Sequence, residues 1–133
     1  MAQAPLLSSL DHLVLTVADL TATLVFYQAL GMRVERFTPS GQGERLALVF
    51  GSQKINLHQK GAEFLPNARN ADCGTADLCF LSDTALSDWI AHLVAAGIKV
   101  IQGPVPRTGA NGPIMSIYLR DPDGNLIEIS NVN

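Results

Sequence analysis

Cysteine is scarce in this 133-residue chain, as are long apolar runs and clusters of positive charge. Each shortage excludes something. Cys73 and Cys79 are too few for a disulfide framework and lack Cys-x-x-Cys spacing, so both are expected to be reduced and structural. No apolar stretch approaches the roughly 20 residues needed to span a bilayer. Net charge is −3, with no basic run, which gives neither nucleic acid nor an anionic membrane surface any electrostatic hold. The opening MAQAPLLSSL lacks the positive flank and long apolar core of a signal peptide, so a cytoplasmic protein is expected. Hydrophobic residues make up 47% and charged residues 16%. That is an ordinary globular composition with a modest apolar surplus, suited to a chain that buries part of its surface against a second copy.

What the chain does contain is a repeat. Residues 12–31 read HLVLTVADLTATLVFYQALG and residues 77–97 read DLCFLSDTALSDWIAHLVAAG. Both are an alternating strand, a polar break, an amphipathic helix and a terminating glycine. In the first helix Leu20, Leu24, Tyr27 and Leu30 form the stripe. Asp19 or Thr21 serves as the cap and Gly31 as the left-handed stop. In the second, Leu86, Trp89, Ile90, Leu93 and Val94 form the stripe, one of Ser82, Asp83 and Thr84 the cap, and Gly97 the stop. Three strand-like runs follow each helix: Met32–Phe37, Leu46–Phe50 and Lys54–Gln59, then Lys99–Ile101, Met115–Leu119 and Leu126–Ser130. The fold class predicted is α+β, as two tandem βαβββ modules forming a curved, cleft-containing sheet. The modules cover about residues 10–59 and 77–131, joined by an irregular linker at 60–76, and the whole chain reads as one domain. Neither module alone covers both faces of its sheet.

Strand alternation then singles out four residues. His12 shares a face with Val14 and Thr16, His58 with Asn56, Asp77 with Cys79, and Glu128 with Leu126 and Ser130. A lone polar group on a half-solvated strand is ordinarily just an exposed residue. Here the first and last strands of both modules are marked, whereas the remaining histidine, His92, falls in a helix and reads as a surface residue. Two histidines with carboxylates suit a first-row divalent ion that keeps open positions. The Pro- and Gly-rich stretch 103–113 reads as a loop that presents Arg107 to a carboxylate or phosphonate. Tyr118, in the strand after it, lines the cleft or packs beneath it. Arg120, just before the DPDG turn, reads as structural or surface.

LDHLVLTVADL followed by FYQALGM, then INLHQ, and above all YLRDPDGNLIEIS resemble the vicinal oxygen chelate superfamily over about residues 10–131. Its members include glyoxalase I, fosfomycin resistance proteins, extradiol dioxygenases and bleomycin-binding proteins, and the likeness is greatest to small glyoxalase-domain proteins. The resemblance implies a metal-dependent, glyoxalase I-like lyase or isomerase that grips two neighbouring oxygens of a small substrate through a divalent ion (Zn, Ni, Mn or Fe). By position, His12 matches the first-module histidine ligand and Glu128 the last-strand glutamate, which also has the type expected of a proton-abstracting residue. Asp77 stands where a second histidine is usual. At the fourth place Asn56 aligns with Glu128, and His58, one rung further, is preferred because an amide is a poor ligand for such ions. Family geometry implies a homodimer whose sites are shared between chains. The other readings are a fosfomycin-type thiol transferase, an extradiol dioxygenase and a metal-free binding protein of the bleomycin-resistance kind.

Overall fold

The computed structural model describes residues 3–41 and 43–133. Its elements run β1 (His12–Val17), α1 (Leu20–Ala29), β2 (Arg33–Phe37), β3 (Arg45–Phe50), β4 (Gln53–Gln59), β5 (Asp77–Leu81), α2 (Leu86–Ala95), β6 (Gln102–Gly109), β7 (Gly112–Arg120) and β8 (Leu126–Val132). This is the predicted α+β class, βαβββ followed by βαβββ. Each module makes its own four-stranded sheet, in the orders β1-β4-β3-β2 and β5-β8-β7-β6. In both, the first and last strands of the module pair in parallel and the other pairings are antiparallel. None of the described helices is long and apolar enough to cross a membrane.

One apolar core joins the two modules. Leu15, Val17, Tyr27, Leu48, Ile55 and Leu57 of the first meet Leu93, Ile117, Leu119, Ile127 and Ile129 of the second. Across the junction the Phe50 and Phe80 rings meet edge to face, with centroids 5.2 Å apart, and the Ala18 N–H donates to Asp123 Oδ1 at 3.1 Å. Because the odd-numbered residues of β1 and β4 enter this core, the even-numbered ones stand on the opposite sheet face. That face carries His12 and His58. Both helices bury less of their predicted stripes than the period requires. In α1 the buried residues are Thr23, Phe26 and Tyr27, and in α2 Leu86 and Leu93, with Val94 70% exposed.

Two local predictions need correction. Residues Lys99–Ile101 are not a strand; β6 begins at Gln102 and occupies most of the stretch read as a loop. Prolines 104 and 106 argue against a strand in a sheet interior, but β6 is an edge strand, where a missing N–H costs no ladder bond. A register shift between Gln102 and Val105 relieves the remainder. Gly103 lies there at φ +106°, and a side chain on it would meet the Ser116 carbonyl oxygen at 2.4 Å. The second correction is the cap of α2. Ala85 takes the capping position without a side-chain bond, and the Leu86 N–H instead donates to Asn131 Oδ1 of β8 at 3.0 Å.

Candidate functional site

Strand register places the marked residues. In the first sheet His12 sits beside Lys54, Val14 beside Asn56 and Thr16 beside His58. In the second, Asp77 sits beside Leu126, Cys79 beside Glu128 and Leu81 beside Ser130. His12 therefore corresponds to Asp77, Asn56 to Glu128, and His58 to Ser130. His58 lies four positions beyond Lys54, the neighbour of His12, an offset of about 13 Å at the usual strand rise. The two imidazoles are not brought together within one sheet.

His12 is half-exposed, and its Nδ1 lies 2.8 Å from Asp11 Oδ2. A carboxylate at Nδ1 can only accept a hydrogen bond and so leaves Nε2 for another partner, the arrangement common behind metal-bound histidines. Glu128 is held from behind. The Ser116 hydroxyl donates to its Oε2 at 2.6 Å, Ser130 Oγ lies 3.4 Å from the same oxygen, and the two serine oxygens are 2.6 Å apart. Both serines are fully buried, so the carboxylate is oriented by groups with few alternative partners. Sequence reading missed this pair. Their only signal was alternation that put a small hydroxyl on the same face as Glu128.

Arg107 sits on β6, and its Nε–H donates to Tyr118 Oη at 2.8 Å. Tyr118 is the register partner of Glu128, so the tyrosine shares the glutamate's face and lines the cleft side of the sheet. A hollow of about 400 Å³ brings Arg107, Glu128 and Cys79 together. Burial pushes the Cys79 thiol up, and the Glu128 charge beside it adds to the effect. Arg120 is exposed and donates to the Gly124 carbonyl at 3.2 Å, a turn contact.

A second hollow, about 550 Å³, lies where the free edges of β1 and β5 approach the linker, with His58 and Asp77 both in its lining. His58 is 4% exposed and packs edge-on against Phe64, centroids 5.5 Å apart. Burial, and then the Arg45 charge, pull its imidazole below the ordinary histidine range, with Glu63 opposing. His92 is exposed, with Nε2 2.6 Å from the Ala29 carbonyl oxygen, away from either hollow.

Among the described residues of one chain, no three His, Cys, Asp or Glu side chains come close enough to hold a metal. The donors stand in two separate groups, His12 on the open face of the first sheet and Asp77 with Glu128 on that of the second. The donor types themselves fit a divalent ion: an imidazole backed by a carboxylate, and two further carboxylates.

The family model described as the glyoxalase/bleomycin resistance protein/dioxygenase superfamily matches residues 9–129. The glyoxalase domain-containing protein RDO1 of Mycosarcoma maydis is 58% identical over 122 residues, which cover 92% of this chain and 67% of that one. An integron cassette protein from the mobile metagenome of V. cholerae superimposes with a TM-score of 0.92 at 54% identity, covering 98% of this chain and 100% of that one. Lactoylglutathione lyase from Agrobacterium tumefaciens has a TM-score of 0.68 at 26% identity, with 93% of each chain covered. The repeat, the parallel pairing of outer strands and these likenesses agree: the chain belongs to the glyoxalase/bleomycin resistance/dioxygenase superfamily.

Proposed function

We propose that this protein is a metal-dependent enzyme of the glyoxalase I type, a lyase or isomerase acting on a small substrate with two neighbouring oxygens. The observation that carries the reading is the split donor set. His12 and the Asp77–Glu128 pair stand on open faces of different sheets, as required if two copies complete each other. In a two-fold homodimer, His12 of one protomer meets Asp77 and Glu128 of the partner subunit, giving two equivalent sites. Similarity to the lactoylglutathione lyase supports the reaction class.

The bound ion would be held by His12, Asp77 and Glu128, and as a Lewis acid it supplies stabilisation of negative charge on substrate oxygen. The remaining work belongs to the chain. Glu128, held at Oε2 by Ser116, presents Oε1 to take a proton from the carbon next to a carbonyl. Arg107, steadied by Tyr118, offers its outer guanidinium N–H groups to a substrate anion. A cytoplasmic location fits the two free cysteines, Cys73 and Cys79.

Metal uptake tests the proposal. Protein purified without chelator and then dialysed against Zn, Ni, Mn or Fe(II) should retain about one ion per chain. His12→Ala and Glu128→Gln should each lower retention at least about tenfold, as removal of a ligand does. Retention unchanged in both variants sinks the proposal. A small-molecule binder without metal would show no retention in the parent protein either.

A further inference from the structure

We infer that residues 4–10 of one protomer form an arm that lies along the second sheet of a second copy of this chain and closes the hollow beside the partner subunit's Glu128. The inference rests on the two-fold pairing of the proposed function and adds the segment that completes the site. The first argument is exposure. Residues 3–11 form no helix or strand, and each of them is exposed. Leu6, Leu7 and Leu10 are 87%, 102% and 61% exposed. Among the described residues one hydrogen bond holds the arm, from Gln53 Nε2 to the Leu10 carbonyl at 3.4 Å. Three unpacked leucines within five residues are an apolar surface of the kind that marks contact with a partner.

The second argument is where the arm is attached. It runs straight into His12, at the head of the edge strand β1. With His12 placed against Asp77 and Glu128 of the partner subunit, residues 10 and 11 already lie over that second sheet. In an extended chain Leu6, Ser8, Leu10 and His12 share one face, so Leu6 and Leu10 turn toward the same sheet as the imidazole. The third argument is the surface that receives them. Leu81 pairs with Ser130 and Ile114 with Val132, which puts these residues on the Glu128 face. Leu81 is 62% exposed and Val132 66%, and Leu81, Ala110 and Ile114 line the hollow that holds Arg107 and Glu128. The lengths agree. Along the strands the level of Leu81 lies about 7 Å from Glu128 and Val132 about 13 Å. The arm reaches about 7 Å from His12 to Leu10 and about 20 Å to Leu6. In the other direction the face runs out at Arg120 and the Asp-Pro-Asp-Gly turn, so the apolar patch sets the arm's course. Seated there, the arm covers the hollow and keeps water from the carbon that Glu128 deprotonates.

Cross-linking of the metal-free protein tests the arm. In a Cys73→Ser, Cys79→Ser background, Leu10→Cys chains are mixed with Leu81→Cys chains, refolded together and oxidised, so that the bond sought cannot close within one chain. Covalent dimers joining residues 10 and 81, identified by peptide mass, should accumulate, since a disulfide needs Cα atoms within about 7 Å. Val25→Cys, at a position 63% exposed on α1, mixed with the same Leu81→Cys chains, should give none above background. Leu6→Ser with Leu10→Ser should raise the dimer dissociation constant in sedimentation at least about tenfold, the factor that burial of one leucine supplies. At concentrations where that variant is still dimeric, its Cys79 should be alkylated by iodoacetamide faster than in the parent, because the hollow it lines has lost its cover. A 10–81 yield no higher than that of Val25→Cys, or an unchanged dissociation constant, or an unchanged Cys79 rate, overturns the inference. The two readings fail separately. Dimers that hold metal through His12 and Glu128 without the 10–81 bond remove the arm alone, the bond in a protein that retains no metal removes the enzyme alone, and a protein monomeric throughout removes both.

Discussion

At the residue scale, Tyr27 shows how far a single side chain can act. Its hydroxyl donates to Asp121 Oδ2 at 2.7 Å, across 94 positions of sequence. Asp121 also accepts from the Asn125 side chain at 2.8 Å and from the backbone N–H groups of Asp123 and Asn125, each at 2.9 Å. Burial first, and then the Asp121 charge, drive the Tyr27 phenol far upward, so it remains a protonated donor at any ordinary pH. This bond ties α1 to the Asp-Pro-Asp-Gly turn that positions β8 and hence Glu128. Tyr27→Phe should destabilise the protein by about 1.5–3 kcal/mol, since the lost bond goes to a charged acceptor. In thermal unfolding that is a fall of about 5–15 °C; an unchanged midpoint would show that the bond contributes nothing. The sequence gives Tyr27 a place on the helix stripe and Asp121 a place in a turn. Their meeting is a fact of the packed molecule.

Caps and edges tell the same story at the scale of elements. Asp19 is legible as the cap of α1 because its carboxylate can reach a backbone N–H three residues on, and it does so at Ala22, 3.1 Å. Asp19→Ala should cost about 1 kcal/mol, read as a lower denaturant midpoint at unchanged slope; a midpoint equal to the parent's would contradict the capping role. For α2, three local candidates precede the helix and none caps it, because Asn131, from the last strand, arrives at the Leu86 N–H instead. Ser82 meanwhile accepts the Trp89 indole N–H at 2.8 Å. The prolines of β6 mislead in the same way. Local chemistry registers a missing donor, but whether that donor was needed depends on which strand lies alongside, and β6 has a neighbour on one side only.

For the whole molecule, the question is how two half-sites become one. His12 and Glu128 stand on different sheets of a chain whose core faces the other way. When the His12→Ala and Glu128→Ala variants are unfolded together, mixed and refolded, half of the dimers formed at random are mixed. In each mixed dimer one of the two shared sites keeps both residues, so metal retention should recover to about a quarter of the parent value. Sites closed within single chains would give no recovery. The sequence by itself determined the duplicated βαβββ order, the sheet face of His12, His58, Asp77 and Glu128, and the turn before β8. These depend on periods of two and 3.6 and on dihedrals that proline and glycine set locally. Only the tertiary structure decided that His12 and His58 stand about 13 Å apart along their sheet, that two buried serines brace Glu128, and that His58 is buried against Phe64 with an unpaired nitrogen. Those facts depend on strand register and on contacts between residues distant in sequence, and no local period encodes either.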